Sequence, residues 1–192
     1  MMKKSFFCMI TLCVSLFVFA AENNGQNTAN KKWPEKLPFG YGDIKLGMGV
    51  DEVKEILLKN REFGYRGDRD VSFSPLDNQI LIETDASLAG FSFFDRCWFQ
   101  FADGKLYIIT INLNKEKIDH YSVFSKLCSK YGGPNKISPQ KSQWKDDEVM
   151  MSLERPLALK YIDAKVFAKR QDKANVQKSY SEQNRDTFLG GL

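Results

Sequence analysis

The chain has 192 residues, of which 28 are basic and 24 are acidic, and its formal net charge is +4. A charge this small gives no support for a nucleic-acid-binding protein, which would call for a clustered basic face, and we expect no nucleic-acid partner. The single histidine and the lack of any CxxC spacing argue against a zinc site.

The first residues have the pattern of a secretory signal peptide. Lys3 and Lys4 precede an apolar run over residues 6–20, which ends in the small residues that a signal peptidase requires. The run is shorter than the roughly 20 apolar residues of a spanning helix, which favours cleavage between Ala20 and Ala21 over a membrane anchor. We therefore expect an exported protein, periplasmic or secreted, that keeps no stable membrane span after cleavage.

A polar segment and a helix follow this leader. Residues 21–38 lack apolar periodicity and predict a flexible linker, ahead of a single domain over residues 39–170. From Val50 to Lys59 the apolar residues recur on one helical face, and acidic residues occupy the first turn. Gly49 is the predicted N-cap of this helix.

The next stretch alternates with a period of two and predicts antiparallel strands. Two short strands are expected at residues 71–73 and 79–83. After them, apolar residues recur at odd-numbered positions along one strand, and this row is interrupted by a bulge or tight turn at Asp95-Arg96. Asp103-Gly104 between two alternating runs predicts a hairpin. The row comprises Phe91, Phe93, Cys97, Phe99 and Phe101.

The second half repeats this order. A helix is predicted over residues 119–131, with Asp119 as its N-cap, and strands over residues 142–145, 149–153 and 157–161. Residues 171–192 are mainly polar and predict a mobile or partly helical tail.

Helix, strands, helix, strands is the order of an α+β domain. We expect an antiparallel β-sheet with two helices packed on one face, arranged as a tandem helix-plus-strands repeat.

The segment Ile44–Leu57, with Gly47-Met48 just before the helix, resembles the opening of the SmpA/BamE-like family and of the wider β-lactamase-inhibitor-protein-like fold. It departs from that pattern in two ways. Gly49 replaces the usual hydroxyl cap, and the Leu-Gly-x-Pro that normally ends the first helix is absent after Leu57. The resemblance implies a small exported scaffold or binding domain, often near the outer membrane and without enzymatic activity.

Two pairs of residues are candidate features of the exported domain. Cys97 and Cys128 remain after leader removal, and two interpretations stay open: a disulfide, or two buried thiols. Trp98 and Trp144 are the candidates for a partner surface, because tryptophan is enriched at binding hot spots, with burial as the alternative.

No catalytic, metal or cofactor residues are predicted. His120 is the only histidine and lies at the start of a helix beside Asp119, which gives little support to a nucleophile–base pair. The acidic run at residues 146–148 reads as a solvated hairpin turn rather than a calcium site.

These features favour an exported, non-enzymatic envelope protein that acts as a binding or scaffold module on another envelope protein. The alternative is a periplasmic small-ligand carrier or protein inhibitor. A cavity lined by the row from Phe91 to Phe101 would favour the carrier.

Overall fold

A computed structural model describes residues 36–74, 78–87 and 89–191. The predicted signal peptide, its cleavage site at Ala20 and Ala21, and most of the predicted linker lie outside them. The described helices are α1 (Val50–Lys59), α2 (His120–Tyr131) and α3 (Ala164–Gly190). The strands are β1 (Gly40–Tyr41), β2 (Ile44–Lys45), β3 (Val71–Ser74), β4 (Gln79–Asp85), β5 (Phe94–Ala102), β6 (Lys105–Leu113), β7 (Lys136–Ile137), β8 (Lys141–Lys145), β9 (Val149–Glu154) and β10 (Ala158–Asp163).

Eight of these strands form one antiparallel sheet in the order β3-β4-β5-β6-β10-β9-β8-β7, and β1 and β2 form a separate hairpin. Each half of the sheet is a meander of four strands that follows one helix, α1 or α2. The halves meet where β6 pairs with β10 at the centre. The expected α+β class with a helix-plus-strands order in each half is confirmed.

Both of the predicted helices cover the same face of the sheet. Val53 and Leu57 of α1, and Val123 and Leu127 of α2, join one apolar core with the inward residues of the sheet. Their spacing explains this placement, because residues three or four apart share one side of a helix. Gly49 precedes α1, where its N–H donates to the Glu52 carboxylate at 2.6 Å.

The start of β5 differs from the prediction that Phe91 and Phe93 share one face of the strand with Cys97, Phe99 and Phe101. The strand begins at Phe94, which is 4% exposed, whereas Phe91 and Phe93 are 61% and 52% exposed. The pairing with β6 shifts register between Phe94 and Cys97, where the sequence predicted a bulge. Because a bulge inserts one residue, it reverses the alternation before it and turns Phe94 inward in place of its neighbours.

The turn between β5 and β6 matches its prediction. Asp103 and Gly104 have φ values of 51° and 73°, both in the left-handed region. Two such residues form the tight turn whose twist suits a two-residue hairpin, and Asp-Gly is a favoured sequence for it.

The second face of the sheet carries α3. Asp163 caps this helix, since its carboxylate accepts the N–H groups of Lys165 and Val166. Val166 and Phe167 pack against a smaller apolar cluster that includes Ile108 and Ile162.

Beyond these first turns, α3 extends through most of the segment predicted as a polar tail. The side chains described from Gln171 onward are exposed. Within the described residues, no helix combines the length and apolar character needed to cross a bilayer.

Replacing Phe99 with alanine should destabilise the domain by about 3–5 kcal/mol, because this side chain is fully buried at the centre of the core. Phe73→Ala is the matched control. Phe73 lies on edge strand β3 and is 59% exposed, so its loss should cost less than about 1 kcal/mol. Urea unfolding of both variants gives the comparison, and equal losses would contradict the assignment of the core.

Candidate functional site

Trp144 does not belong to a partner surface, and that prediction is wrong. The side chain is 2% exposed on β8, and its indole N–H donates to the Gly132 carbonyl at 2.8 Å. Its ring lies 6.2 Å from that of Phe124 on α2. The alternation of β8 turns Trp144 toward the helices, so it contributes to packing.

Trp98 lies half-buried on the face opposite α1 and α2. Its neighbours across the strands are Glu83 on β4 and Thr110 on β6. A role for Trp98 in partner binding stays a prediction.

Cys97 and Cys128 are both free thiols, so the disulfide that the sequence left open is not formed. Cys97 lies on β5 with no exposed surface, and burial raises its pKa to about 12. Burial also raises the pKa of Cys128 on α2. Both residues therefore act as small apolar side chains of the core, the alternative interpretation.

An apolar groove of about 450 Å³ lies between α2 and the first half of the sheet. One wall is α2 with the residues just before it, and the opposite wall is the single helical turn Arg61–Phe63. The floor comes from β5, β6 and β10. The lining consists of Tyr41, Glu62, Phe93, Phe94, Leu113, Ile118, Ser122, Val123, Lys126, Leu127 and Leu159.

Aromatic contacts fix the floor of the groove. The Tyr41 ring meets those of Phe94 and Phe63 edge-on, at centroid distances of 5.4 and 6.4 Å. Phe63 in turn lies 5.0 Å from Phe94 and 5.7 Å from the buried Phe99. Such aromatic pairs, three of them edge-to-face and one tilted, add stability beyond area burial, so this part of the groove is preorganised.

Polar contacts hold the segment that carries Phe93 to the mouth of the groove. The ammonium of Lys117 donates to the carbonyls of Gly90 and Ser92 at 2.5 and 2.6 Å. The Ser92 hydroxyl donates to the Glu62 carbonyl at 2.8 Å and accepts the Phe94 N–H. These hydrogen bonds hold the backbone before and after Phe93, so its exposed side chain has a defined position.

The rim of the groove is sparsely polar. Glu62 lies on one side, and Ser122 and Lys126 of α2 lie on the other. Burial raises the pKa of Tyr41, and the nearby Glu62 carboxylate raises it further, so its hydroxyl stays neutral. The groove can therefore hold an apolar molecule and offers few groups for proton transfer.

A second depression, of about 530 Å³, lies on the other side of α2 against β7 and β8. We call it the basic cleft; its lining is Asp119, His120, Tyr121, Phe124, Ile137, Ser138, Pro139, Lys141, Ser142 and Arg155. Partial burial and the Arg155 charge lower the pKa of His120. The Asp119 carboxylate accepts both the N–H and the hydroxyl of Ser122, which lowers the pKa of Asp119 and commits it to capping α2.

The acidic run at the β8–β9 turn has structural partners. Asp146 accepts the N–H groups of Glu148 and Val149 at 2.8 and 2.7 Å, which closes the hairpin. Glu148 pairs with Lys36 at 2.7 Å. These contacts agree with the predicted solvated turn. Among the described residues, no group of His, Cys, Asp and Glu has the arrangement of a metal site.

A family model described as the TP0088 domain matches residues 39–173, from just before β1 into the first part of α3. Neither the comparison with curated proteins nor the comparison with solved structures gives a match.

The two thiols should differ in their reaction with iodoacetamide at pH 8. Cys97 is fully buried and its pKa is raised to about 12, so it should react only after denaturation. Cys128 is partly exposed and should react slowly in the native state. Peptide mass spectrometry measures both. A peptide pair linked through Cys97 and Cys128 in the non-reduced digest would contradict the free-thiol structure.

Proposed function

The chain belongs to the TP0088 domain family, and from its groove we propose that it is an exported, non-enzymatic binding protein for a small apolar ligand. The groove carries this proposal. Its volume of about 450 Å³ lies within the range of about 300–1,000 Å³ typical of small-molecule sites, and its lining is mostly apolar. Phe93 and Phe94 supply part of that lining.

The energetics of the groove favour retention of an apolar molecule. Each Å² of apolar surface removed from water contributes roughly 25 cal/mol, and the aromatic floor is already held in place by its own contacts. A preformed site loses little conformational entropy on binding, so more of the burial energy appears as affinity.

A binding role agrees better than catalysis with the groups on this surface. The described lining of the groove contains no histidine or cysteine, and its one tyrosine has a raised pKa. The aliphatic hydroxyl of the described lining, that of Ser122, donates to the Asp119 carboxylate, whose lowered pKa makes it a weak base for covalent catalysis.

The groove supports the ligand carrier, which was the alternative among the functions that the sequence suggested. Of the five residues in the row from Phe91 to Phe101, Phe93 lines the groove, so the cavity expected for a carrier involves one member of that row. Export to the periplasm or beyond rests on the leader sequence. The resemblance to SmpA/BamE-like and β-lactamase-inhibitor-protein-like domains stays a prediction.

Titration with N-phenyl-1-naphthylamine, a neutral dye that fluoresces in apolar surroundings, tests the groove. We expect saturable binding of one dye per chain. Phe93→Ala should raise the Kd by about tenfold, because a buried Phe side chain contributes roughly 1.5–3 kcal/mol and part of this one faces the ligand.

Phe91→Ala is the matched control. Phe91 is another exposed phenylalanine, two residues earlier in the chain, but it does not line the groove. Its replacement should leave the Kd unchanged. Equal weakening by the two variants, or no saturable binding of the dye, would refute the groove as a ligand site.

A further inference from the structure

We propose that the basic cleft is a docking site for an acidic peptide segment of a protein partner, one that carries carboxylates beside apolar side chains. This surface is separate from the groove, and its occupant differs in chemistry from the apolar ligand proposed above.

The charge of the cleft defines the first property of the partner. Lys141 and Arg155 both line it, and neither forms a side-chain ion pair or hydrogen bond with a described residue. The nearby carboxylates have other roles. Asp119 caps α2, and Glu154 accepts from Lys160 and from the Ser152 hydroxyl, each at 3.0 Å. Lys141 lies opposite Glu154 across β8 and β9, and its charge contributes to the lowered pKa of that carboxylate, but its ammonium forms no direct ion pair there. Arg155, and the donors of Lys141 that no carboxylate accepts, are therefore available to a partner's carboxylates.

Exposed apolar side chains define the second property. Tyr121 is 76% exposed and Ile137 is 70% exposed, and they line the cleft together with Phe124 and Pro139. Aromatic residues beside cations are typical of the anchor positions in protein interfaces. A ligand with charge alone would leave these side chains in water, so the complementary ligand also has apolar groups.

The open side of the cleft favours a chain over a small molecule. Ile137 belongs to β7, which is only two residues long and is the outermost strand of the sheet, and no other strand of the described residues pairs with it on this side. A peptide can lie across Ile137 and Pro139 and still reach Arg155 in the cleft.

The cleft and the groove use different sides of α2. Tyr121 and Phe124 face the cleft, whereas Ser122, Val123 and Lys126 line the groove. Apart from the hydrogen bonds between Asp119 of the cleft and Ser122 of the groove, the two sites use separate side chains, and the dye and peptide experiments test them separately.

The test compares two blocked peptides of matched shape, Gly-Phe-Asp-Leu-Glu-Gly and Gly-Phe-Asn-Leu-Gln-Gly, each with a neutral dye for fluorescence anisotropy. The acidic peptide should bind the full-length protein at least about tenfold more tightly than the amide peptide. Raising the salt from about 0.05 to about 0.5 M should remove most of that preference, because screening shortens the reach of exposed charges.

Three variants locate the effect. Arg155→Gln and Lys141→Gln should each reduce the preference for the acidic peptide by at least about threefold. Lys136→Gln is the control, since Lys136 is an exposed cation on β7 that does not line the cleft. It should leave the preference unchanged.

Three results would overturn the proposal. The first is equal binding of the two peptides, or binding of neither up to about 1 mM, the affinity range of the weakest specific contacts. The second is an equal loss for Lys136→Gln, which would indicate diffuse charge attraction. The third is competition by 3-phenylpropionate with the same Kd as the acidic peptide, which would assign the cleft to a small organic acid.

Discussion

The pairing of β6 with β10 at the centre of the sheet is the contact on which the rest of the structure depends. Five residue pairs join the strands in register, from Ala158–Asn112 to Ile162–Ile108. Because side chains alternate across a strand, this pair supplies both faces. Ile109 and Tyr161 enter the core under α1 and α2, while Ile108 and Ile162 form the base on which α3 packs. A slip of one residue would exchange these two sets and remove the support of all three helices.

Local patterns predicted most of the fold. The apolar period of α1, the Asp119 cap of α2 and the Asp103-Gly104 turn each depend on residues close in sequence, and the structure has all three where expected. Phe94 could not be assigned to the core by local patterns. A bulge reverses which side chains before it point inward, and the position of this bulge depends on the pairing with β6. Trp144 shows the same limit. The alternation of side chains along β8 is clear from the sequence, but tertiary packing decides which face of the strand meets the helices.

The sites were less predictable than the elements that form them. The groove brings Tyr41, Phe93 and Leu159 together from segments far apart in the chain, so no local motif marks it. Phe91 and Phe93, which precede the bulge, are both exposed, whereas Phe99 and Phe101 after it are buried, and nothing in the sequence separates Phe93 from Phe91 as a groove residue. The basic cleft likewise joins Tyr121 to Arg155 across the second half of the sheet. In both cases α2 is the shared wall, and its sequence carries apolar residues on more than one side.

The anchoring of α3 has a consequence for how this protein could be attached to surfaces or labels. Among its described side chains, those of the first turns contact the sheet, through Val166, Phe167 and the Arg170 guanidinium, which lies 5.4 Å from the centre of the Tyr107 ring. The helix has 27 residues, and at 1.5 Å of rise for each residue it is about 40 Å long. The family match ends at residue 173, soon after the anchored turns. The remaining turns therefore form a spacer of fixed length, and a fluorophore or tether at residue 190 would sit well away from the sheet that supports both the groove and the cleft.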